Sequence, residues 1–158
     1  MRKKPWNLID APVYSLATMQ AGDFNMNICT YVTAVSMKPK LYAVCVYDGT
    51  KTRENIIESD LAVLQLLGKN DLSVVKHLGM KSGIHINKQP WLEKKGLLMD
   101  WEGFQVLKRA AAFMLLKKRD TIQTGDHLLC LFEVISYKTN HSDVLSLNDL
   151  REKKLIRI

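Results

Sequence analysis

The chain has 158 residues, of which 47% are hydrophobic and 25% are charged. This composition is typical of an ordinary soluble globular protein and predicts one domain over residues 1–158. No apolar run is long enough to cross a bilayer, and no apolar segment follows the basic start at Arg2, Lys3 and Lys4, so we expect neither membrane insertion nor a signal peptide.

The cysteines indicate the cellular compartment of the protein, and the net charge indicates which kinds of partner it can bind. Cys29, Cys45 and Cys130 are odd in number, far apart and flanked by apolar residues, which predicts buried, reduced thiols in a cytoplasmic protein. The formal net charge of +7 comes from scattered cations without a nucleic-acid-binding motif. It indicates a solvated basic surface or a phosphorylated small-molecule partner, and it disfavours nucleic acid as a partner.

The hydrophobic pattern predicts mostly strands. In chain order they are expected at residues 13–19, 30–37, Leu41–Tyr47, 62–67, 105–117 and 127–138. Turn residues at Ala21, Gly22 and Asp23 end the first strand, and Pro39 separates the next two. The almost wholly apolar run Leu41–Tyr47 predicts a strand that is covered on both faces.

Short helices interrupt this pattern. One is predicted over residues 52–59 with Thr50 or Thr52 as its N-cap, and a second over 72–78. The second helix is framed by Asp71 as N-cap and Gly79 after its last turn. A third helix is expected to start near Leu147, where Ser146 and Asp149 form a weak capping pair.

Residues 80–103 are expected to be irregular and to hold Trp91 and Trp101 as anchors for the core or for a subunit interface. The total of six or seven strands and two or three short helices predicts a mainly β fold, either a barrel or a sandwich with helical decoration.

The motifs of familiar catalytic sites are absent from the sequence. It contains no nucleophile elbow, no metalloprotease motif, no P-loop and no dinucleotide fingerprint. The four histidines lie too far apart in the chain for a metal-ligand set, so we expect no metal site. Any reactive chemistry is therefore expected to come from a bound cofactor.

The segment from Asp48 to Arg53 is the first candidate for binding such a cofactor. Thr50 and Thr52 offer hydroxyl groups, and Lys51 and Arg53 offer charge, at the start of a predicted helix. A helix start with these residues favours a phosphate group. Simple capping of the helix by a threonine explains the same residues equally well.

Four segments resemble the flavin reductase family. Residues 25–40, NMNICTYVTAVSMKPK, align without a gap to the family pattern N-G-M-T-A-S-S-F-T-S-V-S-x-x-P-P. Thr52 with Ile56 is similar to the family's S-x-T-x-x-x-I segment, and residues 81–83 with 87–88 resemble its SG…DK stretch. The run Gly125, Asp126 and His127 matches the family's G-D-H signature.

This resemblance implies a Greek-key split β-barrel that forms a homodimer and binds FMN near the subunit interface. It implies cofactor contacts from a set of residues in three segments: Asn27, Ile28, Cys29, Thr30, Tyr31, Thr33, Thr50, Lys51, Thr52, Ser82 and Lys88. His127 is the one candidate for a catalytic role, beside the flavin ring or the nicotinamide. The implied activity is hydride transfer from NADH or NADPH to flavin, with a possible partner oxygenase or other electron acceptor.

Departures from the family pattern and simpler interpretations of the residues both leave alternatives open. Met26, Ile28, Lys40 and Asn87 replace the family's Gly, Thr, Pro and Asp. An FMN-binding electron carrier or sensor without reductase activity is therefore the second candidate function. For individual residues the simpler interpretations are strand packing for Thr30, Thr33 and Ser36, a core aromatic at Tyr31, a helix cap at Thr52, a bond to a turn carbonyl at His127 and a solvated ammonium at Lys88.

Overall fold

The computed structural model describes residues 3–156, so Met1, Arg2, Arg157 and Ile158, at the ends of the predicted basic start and helical tail, lie outside the described residues. Within this range the strands are β1 Tyr14–Gln20, β2 Asp23–Met26, β3 Val32–Ser36, β4 Leu41–Tyr47, β5 Leu61–Leu66, β6 Leu98–Trp101, β7 Phe104–Leu107, β8 Ala112–Gln123 and β9 His127–Thr139. The helices are α1 Lys51–Glu58, α2 Leu72–Met80, α3 Gln89–Lys94 and α4 Leu147–Glu152, with short 3-10 turns at Pro5–Asn7 and Lys69–Asp71.

One antiparallel sheet of seven strands organises the molecule, in the order β2-β1-β5-β8-β9-β4-β3, while β6 and β7 form a separate hairpin. The sheet is not closed, because β2 and β3 are its two end strands. The chain between them crosses the split: Cys29 bridges to Tyr14 of β1, and the Tyr31 carbonyl accepts a hydrogen bond from Cys45 N of β4 at 2.9 Å. The predicted mainly β fold is confirmed.

Apolar clusters cover both faces of the central strands. Along β1 and β5 successive side chains alternate, so Leu16 and Leu64 pack in one cluster while Ala17 and Val63 pack in the other, together with α2. The strands buried on both faces are therefore β1 and β5. The same expectation for β4 is wrong, because Tyr47 is exposed and Cys45 is only half-buried.

The helix ends show which capping predictions hold. Thr50 caps α1 by accepting a hydrogen bond from Arg53 N at 3.3 Å, so Thr52 is not the cap. Ser146 and Asp149 form the predicted capping box of α4. Gly79 does not end α2, which continues to Met80, and the Asp71 carboxylate accepts a hydrogen bond from Gly68 N at 2.9 Å instead of capping the helix.

Other predicted boundaries differ from those in the structure because the elements concerned are short. The stretch 80–103 contains α3 and β6 instead of being irregular, and Asp23 begins β2 instead of completing a turn. The single strand predicted over 105–117 is interrupted by a turn between β7 and β8. Elements of four to six residues contain too few positions to show a period. Trp91 and Trp101 both pack against the core. The ring of Trp91 stacks on that of His77, with 4.0 Å between centroids, and the ring of Trp101 is tilted against that of Phe113, with 5.5 Å between centroids.

Candidate functional site

A cleft of about 560 Å³ opens where residues 27–31, the end of β4, the start of α1 and the end of α2 meet. Its volume lies in the range of roughly 300–1,000 Å³ that is usual for cofactor and ligand sites. It brings together every site residue that the family resemblance implied except Thr33: Asn27, Ile28, Cys29, Thr30, Tyr31, Thr50, Lys51, Thr52, Ser82, Lys88 and His127.

Residues 27–31 form one wall, and hydrogen bonds to β1 determine their orientation. Cys29 uses both its N–H and its carbonyl on Tyr14, at 2.8 and 2.9 Å, and the Asn27 side chain accepts from Leu16 N at 2.9 Å. In the described chain the N–H groups of Ile28 and Thr30 make no hydrogen bond. The wall therefore carries backbone donors that are free for a ligand.

The Cys29 thiol does not belong to that set of polar groups. Burial raises its pKa to about 12, and burial also raises the pKa of the Cys45 thiol on the neighbouring strand β4. Both sulfurs stay protonated and act as small apolar groups.

The start of α1 forms the second wall. Asn25 Nδ2 donates a hydrogen bond to Thr52 Oγ1 at 3.0 Å, and both side chains are almost fully buried. Thr50 Oγ1 donates to the Tyr47 carbonyl at 2.7 Å in addition to capping the helix. The Lys51 ammonium lies 2.9 Å from Asp23 Oδ2 and 3.6 Å from Glu54 Oε2, so its charge is already matched by carboxylates.

Lys88 connects the segment before residues 27–31 with the end of α2. Its side chain is buried, with 4% of the residue exposed, so the solvated alternative is wrong. Its Nζ donates hydrogen bonds to the carbonyls of Met26 at 2.8 Å and Leu78 at 2.7 Å. Burial lowers the pKa of this ammonium to about 8. An ammonium has three donors, which leaves one beyond these two carbonyls.

The loop after α2 lies against the start of α1, and Gly83 makes this possible. A Cβ on Gly83 would stand 2.2 Å from Asn25 Oδ1 and 3.0 Å from Lys51 Cβ. Only a residue without a side chain allows this approach. The loop therefore places Lys81 and Ser82 beside the polar groups of α1.

Aromatic rings form the open rim of the cleft. The ring of His127 lies 5.1 Å from that of Tyr31 and 5.2 Å from that of Tyr47, between centroids. His127 Nδ1 bonds to Asp126 Oδ1 at 2.6 Å, and this bond lowers the pKa of the Asp126 carboxyl. Tyr31 is 64% exposed, so the core-aromatic interpretation is wrong, and the turn-carbonyl interpretation of the His127 ring is wrong as well.

Two predicted contacts lie elsewhere. Thr33 is exposed on β3, outside the cleft, and its hydroxyl donates to the Ala34 carbonyl at 3.4 Å. Arg53, expected to provide charge for a phosphate, pairs with Asp48 at 2.9 Å and does not line the cleft. Both differences arise from side-chain direction, which the residue type alone does not specify.

The departures from the family pattern do not obstruct the cleft. Met26 is fully buried in the core, and its backbone is outside the left-handed region that would require glycine. Asn87 accepts a hydrogen bond from Gln89 N at 3.0 Å, where the chain enters α3. Ile28 does line the cleft and contributes an apolar surface there.

Sequence reasoning missed Asn25, Tyr47 and Lys81 as parts of the site. Asn25 and Lys81 lie inside segments that carry the family resemblance, and Tyr47 ends a predicted strand next to the candidate phosphate segment. Their positions beside a cofactor segment are the signal that could have identified them.

Residues 3–156 contain no cluster of three or more histidine, cysteine or acidic side chains arranged to hold a metal ion. Over the same range, none of the helices has the length and apolar character that crossing a membrane requires.

The open β-sheet and the polar cleft at its split define a β protein with a site of cofactor size. The family model described as "Flavin reductase like domain" matches residues 6–153. The chain therefore belongs to this family.

Solved structures support the same fold. The FMN-binding protein from Thermus thermophilus with bound 1-cyclohex-2-enone is similar with a TM-score of 0.76 and 17% identity, over 88% of this chain and 77% of that one. The NADH:FAD oxidoreductase of Streptomyces globisporus is similar with a TM-score of 0.73 and 16% identity, over 83% of this chain and 76% of that one. The flavin reductase component of a bacterial two-component tryptophan halogenase is similar with a TM-score of 0.76 and 15% identity, over 87% of this chain and 86% of that one. No protein of curated function matches the sequence.

Proposed function

We propose that this chain is an FMN-binding flavin reductase that transfers a hydride from NADH or NADPH to the flavin. The observation that carries the proposal is the cleft itself, which gathers residues from separate segments of the chain and includes every predicted flavin contact except Thr33. One similar structure is an FMN-binding protein and another is an NADH:FAD oxidoreductase, which supports this ligand class.

The residues fit a flavin nucleotide in three respects. The free N–H groups of Ile28 and Thr30 suit the polar edge of the ring system, and the apolar side chain of Ile28 suits its face. The polar groups at the start of α1 suit the phosphorylated tail. The buried Lys88 has a remaining donor and no carboxylate partner among the described residues.

A bound flavin supplies the acceptor for the two electrons and one hydrogen that arrive as a hydride. The protein's own contribution is then alignment and exclusion of water. The rim of Tyr31, His127 and Tyr47 is open to solvent and provides rings against which a nicotinamide could be oriented. No side chain has to exchange a proton for this step, which agrees with the absence of a familiar catalytic motif.

The proposal includes a homodimer in the cytoplasm. The outer face of β3, β4 and β9 carries aligned positions such as Thr33, Ala43 and Leu131, next to the exposed Val35 and Ile135. The three free cysteines support a reducing compartment. A partner oxygenase or other acceptor would take electrons from the reduced flavin.

The experiment is an absorbance spectrum of the protein with FMN under anaerobic conditions, before and after NADH or NADPH. We expect a flavin spectrum that NADH or NADPH bleaches. Bleaching by dithionite but by neither nicotinamide would support the electron carrier or sensor instead, the function that the change at Ile28 favours. Failure to bind FMN would contradict both functions.

A further inference from the structure

The charges at the start of α1 are matched within the protein. Lys51 pairs with Asp23 and Glu54, at 2.9 and 3.6 Å, and Arg53 pairs with Asp48 at 2.9 Å. The hydrogen bond to Asp23 is the main reason that the pKa of Lys51 is raised. Two cations therefore face three carboxylates here, and this end of the cleft has no excess positive charge of its own.

The end of α2 differs in this respect. Lys81 lines the same cleft, is exposed and follows the last residue of the helix with an extended backbone. Among residues 3–156 no carboxylate lies within ion-pair distance of its ammonium. Its charge also affects a neighbour: the pKa of His77 is lowered first by burial and then by Lys81.

Lys81 is held close to the polar groups of α1. Gly83, two residues further on, contacts Asn25 and Lys51 so closely that a Cβ would collide with Asn25 Oδ1. Asn25 in turn donates its hydrogen bond to Thr52. Two residues of chain span at most about 7 Å, so Lys81 begins within that distance of the contact. Its long side chain can then meet a group seated between Thr52 and Ser82.

We propose that Lys81, and not Lys51, provides the cationic contact for the terminal phosphate of the flavin. This inference rests on the proposed function and specifies which residue makes the cleft select a phosphorylated flavin. Lys51 would then hold the α1 start together through its two carboxylates. Thr52, Ser82 and the free amides would contribute neutral hydrogen bonds.

The test compares FMN with riboflavin, which has the same ring system and lacks the phosphate. Dissociation constants are measured by flavin fluorescence quenching for the wild type and for Lys81→Gln, Lys81→Arg, Lys51→Gln and Lys95→Gln. Lys95 is an exposed lysine outside the cleft, so its variant controls for the loss of one unit of overall charge.

In Lys81→Gln we expect the Kd for FMN to rise roughly tenfold, about 1.4 kcal/mol, while the Kd for riboflavin changes less than about twofold. Lys81→Arg should restore the preference for FMN, and Lys95→Gln should retain the wild-type ratio of the two constants. Lys51→Gln should reduce the preference by less than Lys81→Gln does, through the carboxylates of Asp23 and Glu54 that it leaves unpaired. The preference in the wild type should also fall with rising salt, because the contact is exposed to solvent.

Three results would overturn the inference. They are an unchanged ratio in Lys81→Gln, a larger loss of the preference in Lys51→Gln than in Lys81→Gln, or equal affinity of the wild type for the two flavins. In each of these cases flavin still binds, so the proposed function would stand. A wild type that binds neither flavin would overturn both.

Discussion

The ammonium group of Lys88 shows how a single residue determines the shape of the site. It is buried, and it bonds to the Met26 carbonyl just before residues 27–31 and to the Leu78 carbonyl near the end of α2. These bonds hold two walls of the cleft at a constant separation. Burial of the charge opposes folding, and the two hydrogen bonds compensate for it in part.

Stability should therefore depend on pH through Lys88. Its pKa is about 8 in the folded chain, against an ordinary value of 10.5, so the unfolded chain binds more protons between these two pH values. The free energy of unfolding of the wild type, relative to Lys88→Met, should rise with pH across this window, by up to roughly 3 kcal/mol. Urea unfolding at pH 7 and pH 10 measures the difference. Parallel pH profiles of wild type and variant would contradict it, and Lys95→Met serves as an exposed control.

At the scale of elements, the loop after α2 and the start of α1 form one unit through Gly83. The approach of residue 83 to Asn25 and Lys51 is closer than any side chain permits. The Asn25–Thr52 hydrogen bond lies directly beneath it. Movement of this loop would therefore disturb both the second wall of the cleft and the position of Lys81.

Gly83→Ala should destabilise the protein by about 1–3 kcal/mol, as overpacking of a filled site does, and should weaken FMN binding. The matched control is Gly125→Ala, because a Cβ on Gly125 would meet nothing within 4 Å. Thermal unfolding and FMN titration of both variants provide the comparison. Equal stability of the two variants would show that the loop does not rest on α1.

At the scale of the whole molecule, the part of the sheet formed by β3, β4 and β9 carries exposed apolar residues beside the aligned positions Thr33, Ala43 and Leu131. Val35 on β3 is 52% exposed and Ile135 on β9 is 47% exposed. Exposed apolar positions grouped on one face are typical of an interface between proteins. The proposed homodimer would bury this face.

Ile135→Lys should convert the dimer to a monomer, because a charge would be desolvated in the centre of the interface. Ile57→Lys is the control, since Ile57 on α1 is 48% exposed but lies away from that face. Size-exclusion chromatography with light scattering measures the mass of each variant. A wild-type protein with the mass of one chain, or an Ile135→Lys variant that stays dimeric, would contradict the proposed interface.

Local pattern alone was sufficient for the main elements of the fold. The bounds predicted for β4 agree with the structure, Thr50 is one of the two caps predicted for α1, and the Ser146–Asp149 pair caps α4 as predicted. These features depend on neighbouring residues only, namely apolar runs, turn residues and hydroxyl caps. The elements β2, β6 and α3 are not predicted, because four to six residues are too few to show such a local pattern.

The sequence by itself determined the mainly β class and which segments carry polar groups for a cofactor. Only the tertiary structure decided which of those groups face the cleft. The side chains of Thr33 and Arg53 lie outside the cleft, and that of Lys88 is buried. The charge of Lys51 is matched by the carboxylate of Asp23. The physical reason is that side-chain direction, burial and charge pairing depend on contacts between residues far apart in the chain, and these contacts exist only in the folded molecule.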